Sequence, residues 1–177
     1  MDKDILEKAK KVRLLATDVD GVMTDGSIVY GENEEIKRFF VRDGAGIFLA
    51  QKAGIIIAFI TVRESKILER RAEELEVSEL HQGVKRKWDC IETLLKKYHL
   101  NKEEVGYIGD DVVDVPVLKR VGFPVAVEDA VEEVKEEAAY LTRTRGGRGA
   151  VREVIEVILK AKGIWEETLK KYYQEID

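Results

Sequence analysis

The sequence predicts an α/β fold in which helices flank a doubly wound parallel sheet. Short apolar runs alternate with longer stretches of helical period along most of the chain, which is the pattern of successive βαβ units. A length of 177 residues and a hydrophobic content of 45% suit one domain with a sizeable core. We therefore expect a single domain spanning residues 1–177.

The elements follow from the spacing of the apolar residues. The candidate strands are short apolar runs at 13–18, 55–61, 105–109 and 124–127, with a weaker one near 80–82. Amphipathic stretches between them predict helices at 46–53, 64–76, 86–99, 113–121 and 131–138. Two more helices are predicted at 151–162 and 164–176, after a flexible arginine- and glycine-rich segment at about 142–150.

One insertion interrupts this alternation. Residues 27–30 and 36–41 have the pattern of two strands around a turn at 31–33, which predicts a β-hairpin insert at about 27–41. An isolated two-stranded ribbon is only marginally stable in water. Because this one has an apolar face, we expect it to pack on another part of the assembly, such as a second subunit.

Composition excludes several classes of partner. The chain has 30 basic and 35 acidic side chains, a net charge of −5 and no basic block, so a nucleic-acid partner is not expected. Its longest apolar run, residues 55–60, is too short to span a membrane. The single cysteine fits a reducing compartment. We expect a cytoplasmic protein without a membrane partner.

A pair of aspartates marks the first candidate site. Asp18 and Asp20 end the first predicted strand, at the carboxyl edge where open α/β sheets bind ligands. Two carboxylates in this position repel each other and call for a cation such as Mg²⁺, which prefers oxygen ligands. A surface turn would explain the same pair, so the pair alone does not identify a metal site.

Three later segments add to this site. Thr61 ends the second strand and suits a phosphate ligand, although a helix N-cap would also explain it. Lys87 lies at a helix start, where it is either a solvated charge or a phosphate ligand. A glycine and three acids follow the fourth strand, a pattern that an acidic helix N-terminus explains only in part. These acids are Asp110, Asp111 and Asp114.

The ordered set of these residues resembles the haloacid dehalogenase superfamily of phosphotransferases. The resemblance implies a Rossmann-like sheet with an inserted β-hairpin and no cap domain. The flanking segments 18–26, 41–44, 81–83 and 146–153 are similar to the 3-deoxy-D-manno-octulosonate 8-phosphate phosphatase family, over roughly residues 12–162. This family frees an eight-carbon sugar acid for lipopolysaccharide synthesis. At position 62, where the family usually has glycine, this chain has valine.

The resemblance implies a role for each matched residue. Asp18 would be the nucleophile, and Asp20 the general acid and base that also contacts the substrate. Mg²⁺ would be held by Asp18, Asp110 and the backbone carbonyl of Asp20. Thr61 and Lys87 would clamp the phosphate, with Asp111 and Asp114 in support. The other substrate-binding candidates are Arg42, Asp43, Gly44, Arg63, Arg71, Arg145 and Arg148.

The resemblance also implies partners. The substrate would be a sugar-acid phosphate, and the protein a homotetramer whose active sites are completed by neighbouring subunits. A related activity, such as that of an acylneuraminate 9-phosphate phosphatase, remains an alternative. A signalling receiver domain uses similar residues, but its phospho-acceptor follows the third strand, whereas here the aspartate pair follows the first.

Overall fold

The computed structural model of the protein describes residues 2–32 and 35–176. Within these residues, the strands are β1 (Leu14–Thr17), β2 (Val29–Tyr30), β3 (Glu35–Ile36), β4 (Ile56–Ile60), β5 (Glu79–His81), β6 (Val105–Gly109), β7 (Phe123–Ala126) and β8 (Tyr140–Leu141). The helices are α1 (Lys3–Lys11), α2 (Val41–Lys52), α3 (Lys66–Glu74), α4 (Lys87–Tyr98), α5 (Val115–Leu118), α6 (Glu132–Glu137), α7 (Ala150–Ala161) and α8 (Trp165–Ile176).

Six of the strands form one parallel sheet in the order β5-β4-β1-β6-β7-β8. Strand β1 lies in the middle, with β4 on one side and β6 on the other. All four residues of β1 and all five of β6 are buried, because helices cover both faces of a doubly wound sheet. The predicted α/β fold with a parallel sheet is confirmed, and the carboxyl ends of β1, β4 and β6 meet at one edge.

The five predicted strands of the sheet are present, with ends that differ from the prediction by one residue or none. The sequence analysis did not predict β8 or α1. Strand β8 has only two residues, which is too short for a periodic signal. Helix α1 is the charged, amphipathic start of the chain, and only Ala9 within it is buried.

Two helical predictions need correction. The helix predicted at 46–53 begins earlier, at Val41, because Gly44 and Gly46 hide the helical pattern of its first turns. The helix predicted at 113–121 is shorter, and consists of a 3₁₀ turn at Val112–Asp114 followed by α5. The ring of Pro116 fits this first turn because a proline there removes no helical hydrogen bond.

The hairpin insert consists of the antiparallel strands β2 and β3, in which Val29 pairs with Ile36. Each strand has two residues, fewer than the sequence pattern predicted, and the chain enters α2 at Val41. Of the predicted turn at 31–33, Asn33 lies outside the described residues. Ile28, Val29, Tyr30 and Ile36 are all about half exposed or more.

None of the helices that the structure describes combines the length and apolar character needed to cross a membrane.

Candidate active site

Three aspartates meet at the carboxyl edge of the central strands. Asp18 follows β1 and Asp110 follows β6, and the Asp18 amide donates a hydrogen bond of 3.0 Å to the carbonyl of Ile108. Asp114 reaches the same place from the 3₁₀ turn after β6. One oxygen from each of these three carboxylates lies within 4.8 Å of the others. The register of β1 and β6 therefore brings together acids that are almost one hundred residues apart.

A buried lysine joins two of these acids. Lys87 is the first residue of α4, and its Nζ lies 2.7 Å from Asp18 Oδ2 and 2.7 Å from Asp114 Oδ1. The lysine side chain is 1% exposed. Burial alone would lower the pKa of Lys87, but the negative charges of Asp114 and Asp18 outweigh burial and raise it. The lysine is therefore an ammonium ion that holds both carboxylates in place.

Asp114 acts as the support of this cluster. Its Oδ1 also accepts a hydrogen bond of 2.6 Å from the hydroxyl of Tyr107, and its Oδ2 accepts one of 3.1 Å from the amide of Asp110. Because Lys87 is a further partner, both carboxylate oxygens are occupied by donors from this chain. Asp111 caps the same turn through the Val112 amide and is exposed.

Asp110 differs from Asp114, because it keeps an oxygen atom for a ligand. Asp110 Oδ1 is buried and has no hydrogen-bond partner within the described chain. Burial, followed by the charges of Asp18 and Asp114, raises the pKa of Asp110 to about 8. Burial also raises the pKa of Asp18 to about 6, although Lys87 opposes this shift. Ionised carboxylates in this arrangement fit a hard divalent cation, which takes oxygen ligands.

The loop after β1 approaches Asp110 closely at Gly21. The φ angle of Gly21 is +93°, and an added Cβ would lie 1.9 Å from Asp110 Oδ2. The buried Thr24 braces this loop, because its Oγ1 accepts weak hydrogen bonds from the amides of Gly21 (3.4 Å) and Gly26 (3.3 Å). Only glycine fits at position 21, for reasons of both space and backbone conformation.

Asp20 lies in a second group of charges. Its Oδ1 accepts a hydrogen bond from Nζ of Lys37, and its Oδ2 lies 3.6 Å from Nε of Arg63. Glu35 holds the other side of Arg63, with 2.6 Å between Oε1 and Nη2. The sequence analysis missed Lys37 and Glu35. The signal that could have found them is the alternation of charged and apolar residues at 35–37.

Thr61 follows β4, the strand that pairs with β1, and is buried. Its amide donates to the carbonyl of His81 (3.0 Å), and its Oγ1 accepts from the amide of Arg63 (3.2 Å). Gln82, which was not among the predicted site residues, braces the same loop by accepting from the Ser65 amide (2.7 Å). Val62 fits without strain, since it is not among the described residues with a left-handed backbone.

Two residues of the 41–44 segment lie in contacts between helices. Asp43 is 2% exposed, and its Oδ1 accepts a hydrogen bond of 2.8 Å from the Arg152 amide in the first turn of α7. Burial raises the pKa of Asp43 to about 6, although hydrogen bonds from this helix start oppose the shift. A Cβ on Gly44 would lie 2.4 Å from Nη2 of Arg71. Substrate contacts by these residues stay a prediction.

The arginine- and glycine-rich segment, which the sequence analysis expected to be flexible, packs on the loop after β1 of its own chain. The Gly147 amide donates to the carbonyl of Val22 (2.8 Å), and a Cβ on Gly146 would lie 1.7 Å from the carbonyl oxygen of Gly21. The lack of side chains allows this close backbone contact, which ties the segment down.

The remaining predicted arginines lie near this segment. Arg42 and Arg148 line a cleft of about 570 Å³, and neither has an ion-pair partner among the described residues. Arg145 pairs with Glu128 at 2.9 Å on the surface. The structure therefore brings Asp18, Lys87, Asp110 and Asp114 into one cluster, with Asp20 and Arg63 in a second and Arg42 and Arg148 in a separate cleft.

Comparison with known proteins decides the family. The model of the haloacid dehalogenase-like hydrolase family matches residues 75–155. The chain is 46% identical to the 3-deoxy-D-manno-octulosonate 8-phosphate phosphatase of Escherichia coli K12 over 165 residues, which is 93% of this chain and 88% of the relative. The chain belongs to the 3-deoxy-D-manno-octulosonate 8-phosphate phosphatase family.

Solved structures of the phosphatase family agree with this assignment. The enzyme from Yersinia pestis has a TM-score of 0.92 at 46% identity, covering 94% of this chain and 90% of the other. The enzyme from Moraxella catarrhalis, solved with a magnesium ion, a phosphate ion and a KDO molecule, has a TM-score of 0.94 at 38% identity. That match covers 97% of this chain and 99% of the other.

The contact of Gly21 with Asp110 gives a test of the site in this phosphatase-family chain. Gly21→Ala should lower kcat/KM by a factor on the order of 10² or more, because a misplaced reacting group can cost that much. The matched control is Gly54→Ala. Gly54 also has a positive φ, of +78°, but an added Cβ there meets nothing within 4 Å. Both variants carry backbone strain of about 1–2 kcal/mol, so equal activities would contradict the assigned geometry.

Proposed function

We propose that the protein hydrolyses 3-deoxy-D-manno-octulosonate 8-phosphate in the cytoplasm, as a Mg²⁺-dependent phosphatase of lipopolysaccharide synthesis. The observation that carries this proposal is the cluster of Asp18, Asp110 and Asp114, two of which pair with the buried Lys87, at the carboxyl edge of the sheet. The identity of 46% with the E. coli enzyme supports the choice of substrate.

Asp18 is oriented as a nucleophile. Lys87 holds its Oδ2 at 2.7 Å, and the Val19 amide donates to its Oδ1 at 2.7 Å. A carboxylate fixed in this way attacks phosphorus to form an aspartyl-phosphate, which water hydrolyses in the second step. Lys87 and Thr61 balance charge on the phosphoryl oxygens during both steps.

The donor set fits a magnesium ion. Asp18, Asp110 and the backbone carbonyl of Asp20 would hold Mg²⁺, which neutralises charge on the phosphoryl group when it is bound. The unpartnered oxygen of Asp110 supports this assignment, because a buried acceptor without a donor is rare in folded proteins. Asp114 stays with Lys87 and Tyr107 and orients the lysine.

Asp20 serves as the acid and then the base. It lies two residues beyond the nucleophile on the same loop, and its side chain is 19% exposed, so a substrate can reach it. In the first step its carboxyl gives a proton to the departing sugar oxygen. In the second step its carboxylate accepts a proton from the attacking water.

Arginines recognise the carboxylate of the sugar acid. Arg63 lies beside Asp20, whereas Arg42 and Arg148 line the cleft between the starts of α2 and α7. The planar fork of arginine suits a carboxylate, because it can donate two parallel hydrogen bonds. Arg71 and Arg145 are further candidates, although each also pairs with a glutamate of its own chain.

The nucleophile is tested by Asp18→Asn. Turnover of 3-deoxy-D-manno-octulosonate 8-phosphate should fall by a factor on the order of 10⁶, because a neutral amide cannot form the aspartyl-phosphate. The control is Asp25→Asn, which alters an acid on the same loop that pairs with Arg38. More than a tenth of the activity in Asp18→Asn would contradict the covalent mechanism.

The substrate is tested by comparing purified sugar-acid phosphates. We expect a higher kcat/KM for 3-deoxy-D-manno-octulosonate 8-phosphate than for an acylneuraminate 9-phosphate. The opposite order would assign the neighbouring activity of the same superfamily.

The metal is tested through the pH dependence of stability. The pKa of Asp110 is about 8 in the folded metal-free protein and about 3.9 in an unfolded chain. The folded state therefore binds the extra proton, and stability falls as pH rises from about 4 to about 8. Mg²⁺ competes with this proton, so it should raise Tm more at pH 8 than at pH 5.

Two variants make this measurement specific. Asp110→Asn should flatten the pH dependence of the metal-free protein and abolish the Mg²⁺-induced rise in Tm. Asp111→Asn is the control, because Asp111 is the adjacent, exposed acid that only caps a turn. A rise in Tm with Mg²⁺ that is the same in both variants would place the ion elsewhere.

We also propose that the protein is a homotetramer in which the hairpin builds the interface and neighbouring subunits complete each active site. Val29 and Ile36 face each other across the hairpin and are each about half exposed. An apolar surface of this kind is stabilised when a second copy covers it.

The substitution Ile36→Lys should reduce the mass measured by light scattering, whereas Leu141→Lys, at a position of similar exposure, should not. A monomeric wild type at micromolar concentration would refute the tetramer.

A further inference from the structure

The hairpin contacts the active site of its own chain through Lys37. The Nζ of Lys37 donates a hydrogen bond to Asp20 Oδ1 and lies 3.8 Å from Glu35 Oε1. The Lys37 side chain is 3% exposed, so its charge is held in the structure and does not extend into solvent. A lysine loses rotamer entropy when it is ordered, so its contacts here must offset that cost.

The other oxygen of Asp20 faces a second cation. Arg63 Nε lies 3.6 Å from Asp20 Oδ2, and Arg63 Nη2 lies 2.6 Å from Glu35 Oε1. Glu35 thus contacts both cations that flank Asp20. The group therefore pairs two acids with two bases. Its effect is to fix the orientation of the Asp20 carboxylate.

The pattern of the hairpin strand explains how it reaches Asp20. Side chains alternate between the two faces of a strand. Glu35 and Lys37 therefore lie on the face that meets Arg63 and Asp20, while Ile36 between them is half exposed on the opposite face. The next residue, Arg38, pairs instead with the exposed Asp25 and does not contact Asp20 in the described structure. Of these neighbouring hairpin residues, Lys37 is therefore the one that contacts the proposed acid and base.

We propose that Lys37 is a positioning residue, which holds the Asp20 carboxyl group where it transfers a proton to the leaving sugar oxygen. A general acid must come within about 2.6–3.2 Å of the atom that it protonates. Asp20 lies on a loop, and a loop side chain keeps such a geometry only when its neighbours fix it. This inference rests on the proposed role of Asp20 as acid and base.

The test compares two small substrates that differ in their need for an acid. Phenyl phosphate releases a phenolate that is basic enough to require a proton, whereas p-nitrophenyl phosphate releases one that does not. Neither carries the sugar, so the comparison is independent of sugar recognition. The measured quantity is kcat/KM, because it reports only the steps up to and including formation of the aspartyl-phosphate. It therefore excludes the later hydrolysis step, which is the same for both substrates.

Lys37→Met keeps the length of the side chain and removes the charge. It should lower kcat/KM for phenyl phosphate by about ten- to a hundredfold, part of the 10²–10⁴ that acid catalysis contributes, and for p-nitrophenyl phosphate by about threefold or less. Lys37→Arg should recover most of the difference. Arg38→Met, the matched control at the adjacent position, should leave both values close to wild type. Equal losses for the two substrates in Lys37→Met would overturn the proposal.

Asp20→Asn separates this inference from the function on which it rests. If Asp20→Asn lowers kcat/KM equally for both substrates, the proposed acid role of Asp20 is wrong. If Asp20→Asn lowers kcat/KM more for phenyl phosphate than for p-nitrophenyl phosphate, the double variant with Lys37→Met decides the role of the lysine. If the lysine acts through Asp20, adding Lys37→Met to Asp20→Asn does not further change the ratio of kcat/KM between the two substrates. An additive effect would show that Lys37 acts independently of Asp20, and would overturn the inference even if Lys37→Met is less stable.

Discussion

The ion pairs of Lys87 with Asp18 and Asp114 are the interaction on which the rest of the site depends. An unpaired charge in this position would cost several kcal/mol, because burial removes its hydration. The lysine meets carboxylates that follow β1 and β6, so α4 must begin at the carboxyl edge of both strands. With Asp110 included and all three acids ionised, the acids face one base, which leaves two negative charges. That excess equals the charge of one divalent cation, so the site is stabilised by an ion in addition to its own side chains.

The parts of this site that were predictable from sequence are those that come directly after strands. The apolar runs that become β1, β4 and β6 are short, and a polar residue follows each of them directly. Because the strands are parallel, every such residue reaches the same edge whatever the distance along the chain. This geometry, together with the resemblance of the flanking motifs to one family, was sufficient to select Asp18, Thr61 and Asp110. The cluster at Asp18 and Asp110 needed no information on side-chain packing.

The contacts that escaped prediction depend on packing between distant segments. Asp43 was expected to contact substrate, but its observed contact is with the Arg152 amide at the start of α7, 109 positions away. No local sequence pattern predicts such a cap, because the hydrogen-bond partner of the Asp43 side chain is a backbone amide. The same holds for Gly146. Its position requires a residue without a side chain, because a Cβ there would clash with the carbonyl oxygen of Gly21. Motif residues that are matched to a family can thus also serve the shape of the site.

The hairpin would link the site to the proposed assembly, because its two faces make different contacts. One face places Glu35 and Lys37 on the active-site charges, and the other presents Val29 and Ile36 to solvent. A ribbon with two-residue strands has little stability of its own. Contacts on either face therefore stabilise the same conformation. If another copy covers the apolar face, it holds the charged face against Asp20 with no contact to the reacting groups. In a phosphatase without a cap domain, this coupling would make the proposed assembly a means of ordering the active site.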